Sequence, residues 1–347
     1  NLQPDMFIQL PVISVVTPTF NRKDELVHLF SSMKKQTLDP KFFEMIISDD
    51  GSTDGTEEYV KSLENKFKFN LFYVSQKNLG PGSARNNGVK NSKGELIVFI
   101  DSDCEADSNW LEVIFNAYKN NDFDAFGGPD EAKDNFLPIQ IAINFSMTSF
   151  LTTGGIRGHN KNMISKFFPR SHNMGVKKTL FEKIGGFGSL RHGQDIELSN
   201  RIINEQAVVK LLDNAIVYHR RRTTLLKFFR QVFNWGVARV NLAKIDRKML
   251  QLVHFLPSAA TAIFFLSIFG IFFYPNIFIP IMYFYFLTLS LMCIYGGMKT
   301  YNIKVLFNLF LVIPFQILGY GLGFILAFIK RFIFGQSTFT GFEKKYY

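Results

Sequence analysis

The stretch GELIVFIDSDCEAD, residues 94–107, runs an apolar strand pattern straight into three carboxylates, Asp101, Asp103 and Glu105, spaced two apart. Two carboxylates at i and i+2 on the turn that ends a strand can present oxygens to one hard divalent cation. Asp and Ser are also ordinary turn residues, so other polar groups must decide between a cation site and a solvated turn. They cluster by position. Thr17 to Arg22, Asp49-Asp50 and Asp101 to Asp103 each follow the end of a strand-like run. In parallel α/β sheets ligands bind beyond the carboxyl ends of the strands. Scattered solubilising turns would not share that placement, so these groups point to one site.

The elements that must position them alternate. VISVVTP (12–18), FFEMIIS (42–48), LFYVS (71–75) and LIVFI (96–100) read as strands. Between them, Asp24 to Gln36 carries Leu26, Leu29, Phe30 and Met33 at helical spacing, Thr53 to Leu63 suits a helix, and another starts near Ser83 after a Gly-rich turn. Alternation of this kind predicts a parallel α/β sheet. Residues 108–218 are less regular, with Gly-rich segments and two short apolar helices.

The chain then changes character. Met249 to Met298 contains no Asp, Glu, Lys or Arg, and neither does Val305 to Ile329. An uncharged apolar run of about 18 or more residues can cross a bilayer, and spans are expected at 251–273, 277–298 and 305–329, within a membrane region 249–330. Pro314, Gly319, Gly321 and Gly323 could instead bend the last segment into a re-entrant or interfacial element. Between His219 and Lys248 nine Lys or Arg residues face one acid, Asp246. Ahead of an apolar run, this collar suits anionic lipid headgroups better than nucleic acid. Within it, residues 223–245 are amphipathic, with Leu225, Phe229, Val232, Phe233, Val237 and Val240 on one face. Lys227, Arg230, Gln231, Asn234, Ala238 and Asn241 occupy the other, as expected of a helix lying in the interface. The two cysteines, Cys104 and Cys293, indicate no disulfide framework, which suits a reducing cytosol. No signal-peptide pattern is visible at the N-terminus.

Six stretches in register, SVVTPTFNR, ISDDGSTDGT, NLGPGSARNNGV, FIDSDCE, MGVKKTLFEKIGGF and HGQDIELSNRI, resemble the family-2 glycosyltransferases over residues 12–205. The resemblance implies a GT-A fold, a Rossmann-like mixed sheet with flanking helices, over 1–218. A basic interfacial helix region (219–248), the membrane helices and a tail (331–347) would follow. It also implies inverting transfer of a sugar from a nucleotide donor, expected to be UDP-linked, with Mg²⁺ or Mn²⁺ as cofactor. Asp101 and Asp103 would hold the cation beside the donor, with Ser102 between them, and His219 could complete the shell or be structural. Thr17, Pro18, Phe20, Asn21 and Arg22 would line the nucleoside pocket. One carboxylate of Asp49-Asp50 would accept from the base. Arg85 would sit near the nucleotide, with Gly80 and Gly82 letting the backbone approach it. The family's catalytic acid opens a helix as the second member of a Glu-Asp pair. Here the pair is Gln194-Asp195, so the base that takes the acceptor hydroxyl's proton falls to Asp195, which could equally be a helix cap. Gln194, Asn173 and Trp235 are acceptor-contact candidates.

Within the family, processive synthases carry Gln-x-x-Arg-Trp, where this chain has QVFNW with Asn234 at the Arg position. Dolichol-phosphate-mannose-type enzymes read Asp-x-Asp-Leu-Gln, against DSDCE here. The run YHRRRTTLLKFFRQVFNWGVAR looks most like the succinoglycan-synthesis type of bacterial glycosyltransferase. That likeness implies addition of one sugar to a polyprenyl-diphosphate-linked saccharide, with the catalytic domain on the cytoplasmic side of the inner membrane. Transfer to a polyprenyl phosphate, processive synthesis and a non-enzymatic membrane scaffold are the alternatives.

Overall fold

A computed structural model of the chain describes residues 11–133, 135–153 and 167–342. They divide into two compact units. One comprises the chain up to Glu131 together with Phe168–His219, the other Ala132–Phe167 and Arg220–Lys345. The block expected over 1–218 is thus interrupted, because the segment after Glu131 groups with the C-terminal helices. Residues 343–347 of the expected tail lie outside the described residues.

In chain order the elements begin with β1 (Ile13–Thr19), α1 (Lys23–Met33), β2 (Phe43–Asp49), α2 (Thr56–Lys61), β3 (Asn70–Ser75), α3 (Pro81–Lys90) and β4 (Leu96–Ile100). There follow β5 (Cys104–Ala106), α4 (Trp110–Lys119), β6 (Ala125–Gly127), β7 (Asp130–Glu131), α5 (Pro138–Thr148), α6 (Phe150–Thr153), β8 (Asn173–Lys177) and α7 (Lys178–Lys183). The chain continues through α8 (Gln194–Asn204), β9 (Val209–Leu211), β10 (Val217–His219), α9 (Leu225–Ile245), α10 (Leu256–Gly270), α11 (Pro275–Lys299) and α12 (Ile303–Phe328).

In the first unit a seven-stranded sheet has the order β3-β2-β1-β4-β8-β6-β9, and a three-stranded sheet the order β5-β10-β7. The first four strands are parallel, as the alternation predicts, while β8 runs antiparallel to both β4 and β6. The central strands are apolar on both faces because both faces are covered. Along β4, Leu96, Val98 and Ile100 enter one core with Leu26, Leu29, Phe30 and Met33 of α1. Ile97 and Phe99 enter the other, with Phe181, Leu198 and Ile202. Helix α2 is shorter than expected, since Asp54 bonds the Thr56 backbone N–H and hydroxyl and starts the helix late.

One buried amide ties the two halves of this unit. Asn173 opens β8 opposite Ile100, and its side chain is inaccessible to solvent. Its Oδ1 accepts from the Trp110 indole N–H at 3.0 Å, and its Nδ2 donates to the carbonyls of Pro129 (2.9 Å) and Ala215 (2.7 Å). The acceptor contact expected of Asn173 therefore gives way to a strut.

In the second unit three helical stretches, Leu252–Gly270, Pro275–Lys299 and Ile303–Ile333, are long and apolar enough to cross a membrane. Helix α12 continues through Pro314 without a break in its helical structure. The glycines serve close packing instead. A Cβ on Gly323 would lie 2.1 Å from the Phe233 carbonyl oxygen, and one on Gly236 would lie 2.2 Å from that of Tyr320. The backbones of α9 and α12 thus meet with nothing between them, the use small residues serve between apolar helices. Of the expected apolar face of α9, Val232, Phe233, Val237 and Val240 are buried while Leu225 and Phe229 are half-buried, and Phe228, outside that face, is buried as well. Asn234 and Ala238 also depart from the amphipathic pattern. Both are buried rather than on the polar face, and Asn234 Oδ1 accepts from the Phe342 backbone N–H at 3.1 Å. Trp235 packs beside the cluster of Phe145, Cys293, Leu309 and Ile313 in this unit.

Replacing Asn173 by Ala would strand the Trp110 N–H and two carbonyls, each buried unsatisfied group costing about 1–3 kcal/mol. We expect the apparent Tm of the purified chain to fall by roughly 5 °C or more; an unchanged melting curve would refute the strut.

Candidate active site

The carboxyl edge of the parallel strands gathers the expected residues. Asp101 follows β4, and its Oδ1 accepts from Arg85 at 2.6 Å. Asp103 Oδ2 accepts from Arg22 at 2.8 Å, and Asp103 Oδ1 lies 3.3 Å from His219 Nε2. Two carboxylates two residues apart repel, and here each is neutralised by its own guanidinium. The attraction is felt on both sides: Asp103 holds the Arg22 guanidinium above its ordinary pKa, against the opposing effect of burial. Ser102 is buried between them, as is Glu105 in β5.

Asp49 and Asp50 sit at the same edge but face inward. Asp49 Oδ1 accepts from the Ser52 N–H and hydroxyl, and its Oδ2 from the Tyr73 hydroxyl at 2.7 Å. That bond and burial together push the Tyr73 phenol well above its usual pKa. Asp50 accepts from Gln76 Nε2 at 2.7 Å and from the Leu79 and Gly80 backbone N–H groups at 2.9 and 2.8 Å. Both side chains are shut off from solvent, so they shape the loops around the site. Every oxygen of the pair accepts at least one hydrogen bond from the fold.

Of the other expected nucleoside contacts, Thr17 and Pro18 are buried in β1 and Phe20 is half-buried. The Thr17 and Thr19 hydroxyls have no hydrogen-bond partner. Exposed Asn21, in the left-handed region at φ 51°, clips its turn to the next loop: its N–H donates to Ser52 Oγ and its Oδ1 accepts from the Thr53 N–H. Gly80 holds Asp50 as described. Gly82 makes room for a side chain of the fold, since a Cβ there would lie 2.7 Å from the Gln194 amide. Gln194 is correspondingly buried.

Asp195 is in the first turn of α8, and Gly193, at φ 81°, occupies the cap position. Gly193 offers no side chain to cap the helix, so the first-turn N–H groups look to residues such as Asp195. Asp195 Oδ1 accepts from the Ile196 N–H at 2.9 Å and its Oδ2 lies 3.5 Å from Arg170. Two routes of contact join Asp195 to the strand-end carboxylates. Gln194 packs on Gly82, one turn of α3 before Arg85, which reaches Asp101. On the other side Arg170, near Asp195, is followed by His172, 3.4 Å from Asp130, which lies 3.6 Å from His219. The loop after α7 is pinned there too, by paired bonds between Asn86 and the Phe187 backbone at 2.9 Å.

Arg170, His172, Asp130 and His192 are absent from the sequence-based list. Asp130 carried a signal, because it is a carboxylate following a strand-like run, the pattern that singled out Asp101. His172 and Arg170 carried none, since only the pairing of β8 with β4 brings them to this edge. His192 is partly buried beside Arg191, and its Nε2 has no hydrogen-bond partner. Burial first, and the Arg191 charge second, lower its pKa from 6.5 to about 4.

The residues present fit a divalent ion. Asp103, Cys104 and His219 each offer a donor atom within 4.8 Å of the others, and carboxylate oxygen with imidazole nitrogen is a set that Mn²⁺-like ions accept. A mixed sheet ending in paired carboxylates, with a third acid on a helix start across the edge, defines a glycosyltransferase of the GT-A type.

Residues 14–185 match the family model described as glycosyl transferase family 2. The chain carries a family-2 glycosyltransferase domain, and the protein is a glycosyltransferase. It is 25% identical over 268 residues to glycosyltransferase AglE of Haloferax volcanii, covering 72% of this chain and 82% of that protein. It is 35% identical over 117 residues to validoxylamine A glucosyltransferase of Streptomyces hygroscopicus, where the match covers 33% of this chain and 25% of that protein. Its fold resembles the mannosyltransferase PcManGT from Pyrobaculum calidifontis, solved with GDP-Man and Mn²⁺, at a TM-score of 0.56 and 15% identity, over 91% of this chain and 87% of that one.

The depressed pKa of His192 has a consequence for stability. The unfolded chain takes up this proton near pH 6.5 and the folded chain only near pH 4, so stability declines as pH falls through that window. From pH 7 to 5 the loss from this group is roughly 2 kcal/mol. His192→Gln should flatten that acid limb in thermal unfolding; a limb as steep as wild type would assign it to other groups.

Proposed function

We propose that this enzyme transfers one sugar, with inversion, from a nucleotide sugar of the UDP class to a lipid-linked saccharide at the cytoplasmic face of a bacterial inner membrane. The observation that carries the reading is the gathering of Asp101, Asp103 and Asp195 at one sheet edge by two independent routes of contact.

In this reading the acceptor hydroxyl oxygen attacks the anomeric carbon as the carbon–oxygen bond to the diphosphate breaks. Asp195 receives the hydroxyl proton, and the products are a glycoside and a nucleoside diphosphate. Arg170 and the Ile196 N–H orient the Asp195 carboxylate. Asp101 and Asp103 would hold Mg²⁺ or Mn²⁺, which when bound supplies the positive charge that a departing diphosphate needs. Arg22 and Arg85, now on those carboxylates, present guanidinium forks suited to phosphate oxygens. Asn21 and Phe20 stand where a nucleoside would meet the loop after β1. Trp235 and Gln194 remain candidate acceptor-side residues; an indole is also at home at a membrane interface.

The acceptor class rests on the second unit. Helices suited to a bilayer follow a basic stretch suited to anionic headgroups, and both features favour an acceptor that is itself anchored in a membrane. Lys299 and Lys304, flanking the turn before α12, support a cytoplasmic position for that turn under the positive-inside tendency.

Two measurements test these statements. Asp195→Asn should lower kcat by roughly 10²–10⁴-fold while leaving donor binding near wild type, whereas Asp103→Ala should weaken metal-dependent donor binding. Wild-type turnover in both variants would end the mechanism. For topology, Tyr301 is 98% exposed in the turn before α12. In a Cys-free background Tyr301→Cys should react with a membrane-impermeant maleimide in inside-out vesicles and be protected in intact cells. The opposite pattern would reverse the orientation.

A further inference from the structure

Beside the strand-end carboxylates, a second group of donors converges. Asp130 of β7, His172 just before β8 and His219 of β10 each offer one ligand atom, all within 4.8 Å of one another. His172 Nε2 lies 3.4 Å and His219 Nδ1 3.6 Å from the same atom, Asp130 Oδ2. Both separations exceed an ordinary N–H···O hydrogen bond of about 2.7–3.2 Å. Two ligands each about 2.1 Å from one ion, at a tetrahedral angle, stand about 3.4 Å apart.

A second observation comes from His172 itself. Its Nε2 is shielded from solvent and has no hydrogen-bond partner, although a polar atom lost to water costs stability unless something satisfies it. It is aimed at the Asp130 carboxylate, whose side chain is only 3% exposed. A cation among the three donors would satisfy that nitrogen.

We propose that Asp130, His172 and His219 form a metal site of their own, distinct from the donor-ion site at Asp101 and Asp103, which takes a first-row divalent transition ion such as Zn²⁺ through two imidazole nitrogens and one carboxylate oxygen. The donor set excludes Mg²⁺ as the preferred occupant, since Mg²⁺ favours oxygen ligands and sheds water reluctantly, while imidazole suits Zn²⁺ and its neighbours. His219 is shared between the two groups of donors: its Nδ1 faces Asp130 Oδ2 at 3.6 Å and its Nε2 faces Asp103 Oδ1 at 3.3 Å. The ion would tie β7 and β10 of the small sheet to the entrance of β8 in the large one, holding in place the segment that carries Arg170 toward Asp195.

The proposal goes beyond the donor-metal reading, and its test separates the two. The full chain, purified in detergent and stripped with chelator, is titrated with Co²⁺ alone, without nucleotide sugar, and the visible d–d bands are followed. Wild type should show nitrogen-ligated Co²⁺ that excess Mg²⁺ does not displace and Zn²⁺ does. His172→Ala, the bulk-retaining His172→Gln, and Asp130→Asn should each weaken this binding at least about tenfold, while Asp103→Ala keeps it. Zn²⁺ should also raise the Tm of wild type and of Asp103→Ala but not of the His172 variants, and circular dichroism checks that each variant is folded. Co²⁺ binding lost in Asp103→Ala yet unchanged in folded His172→Ala or His172→Gln would overturn the proposal and leave the donor-ion reading standing. An absence of nitrogen-ligated Co²⁺ in wild type would overturn it as well. Failure of Mn²⁺-dependent donor binding alone, with the Co²⁺ results as expected, would count only against the donor-ion reading.

Discussion

The site depends on how negative charge is held at the carboxyl edge of a buried sheet. Asp101 and Asp103 sit where β4 leaves a core whose flanking side chains are all apolar, and neither could remain there ionised and uncompensated without heavy cost. Arg85 comes from α3 and Arg22 from the start of α1, so the two helices packed on opposite faces of the sheet each contribute one cation. The fold brings these partners from 16 and 81 residues away. The order β3-β2-β1-β4 does this, because β1 sits next to β4 and the turn leaving β1 carries Arg22.

The apolar helices obey a different constraint. Inside a bilayer there is little hydrophobic drive between helices, so close backbone approach and polar contacts between them must supply the attraction. Helices α9 and α12 meet through Gly236 and Gly323, each against a carbonyl of the other helix. Gln316 of α12 donates to the Ser146 carbonyl and accepts from its hydroxyl, tying α5 into the same unit. That explains why residues 138–153, which precede half of the α/β unit in sequence, fold with the C-terminal helices. It also gives the glycines of α12, which read as potential bends, a role in close packing instead.

The parallel half of the sheet was legible because period and punctuation agreed. LIVFI is β4 residue for residue, and Leu26, Leu29, Phe30 and Met33 are the buried face of α1. The start of the helix carrying Asp195 was not legible, since only the left-handed Gly193 shows where it opens. Asn173 misled for a related reason. A polar residue in a motif reads as a contact to a ligand, but a buried amide with one acceptor and two donor bonds to satisfy serves equally well as a strut. Asn234 repeats the lesson on α9, where helical spacing assigns a face and the packed C-terminal segment reverses it. Arg170 and His172 were invisible because an antiparallel return strand, not local spacing, delivers them.

The contrast between the two aspartate pairs shows why residue type alone does not define a site. Asp49-Asp50 and Asp101-Asp103 end neighbouring stretches of one sheet and consist of the same side chain. The first pair is bonded only by neutral donors, namely backbone N–H groups, hydroxyls and the Gln76 amide, at every oxygen. Releasing any of them would undo a loop, so that charge is permanently committed to structure. The second pair is held by guanidinium groups, charged partners whose fork geometry also suits phosphate oxygens. A charge compensated by a side-chain cation leaves the backbone of its loop uncommitted, whereas a charge compensated by backbone dipoles does not. The nature of the partner, more than the carboxylate, decides which pair can do chemistry.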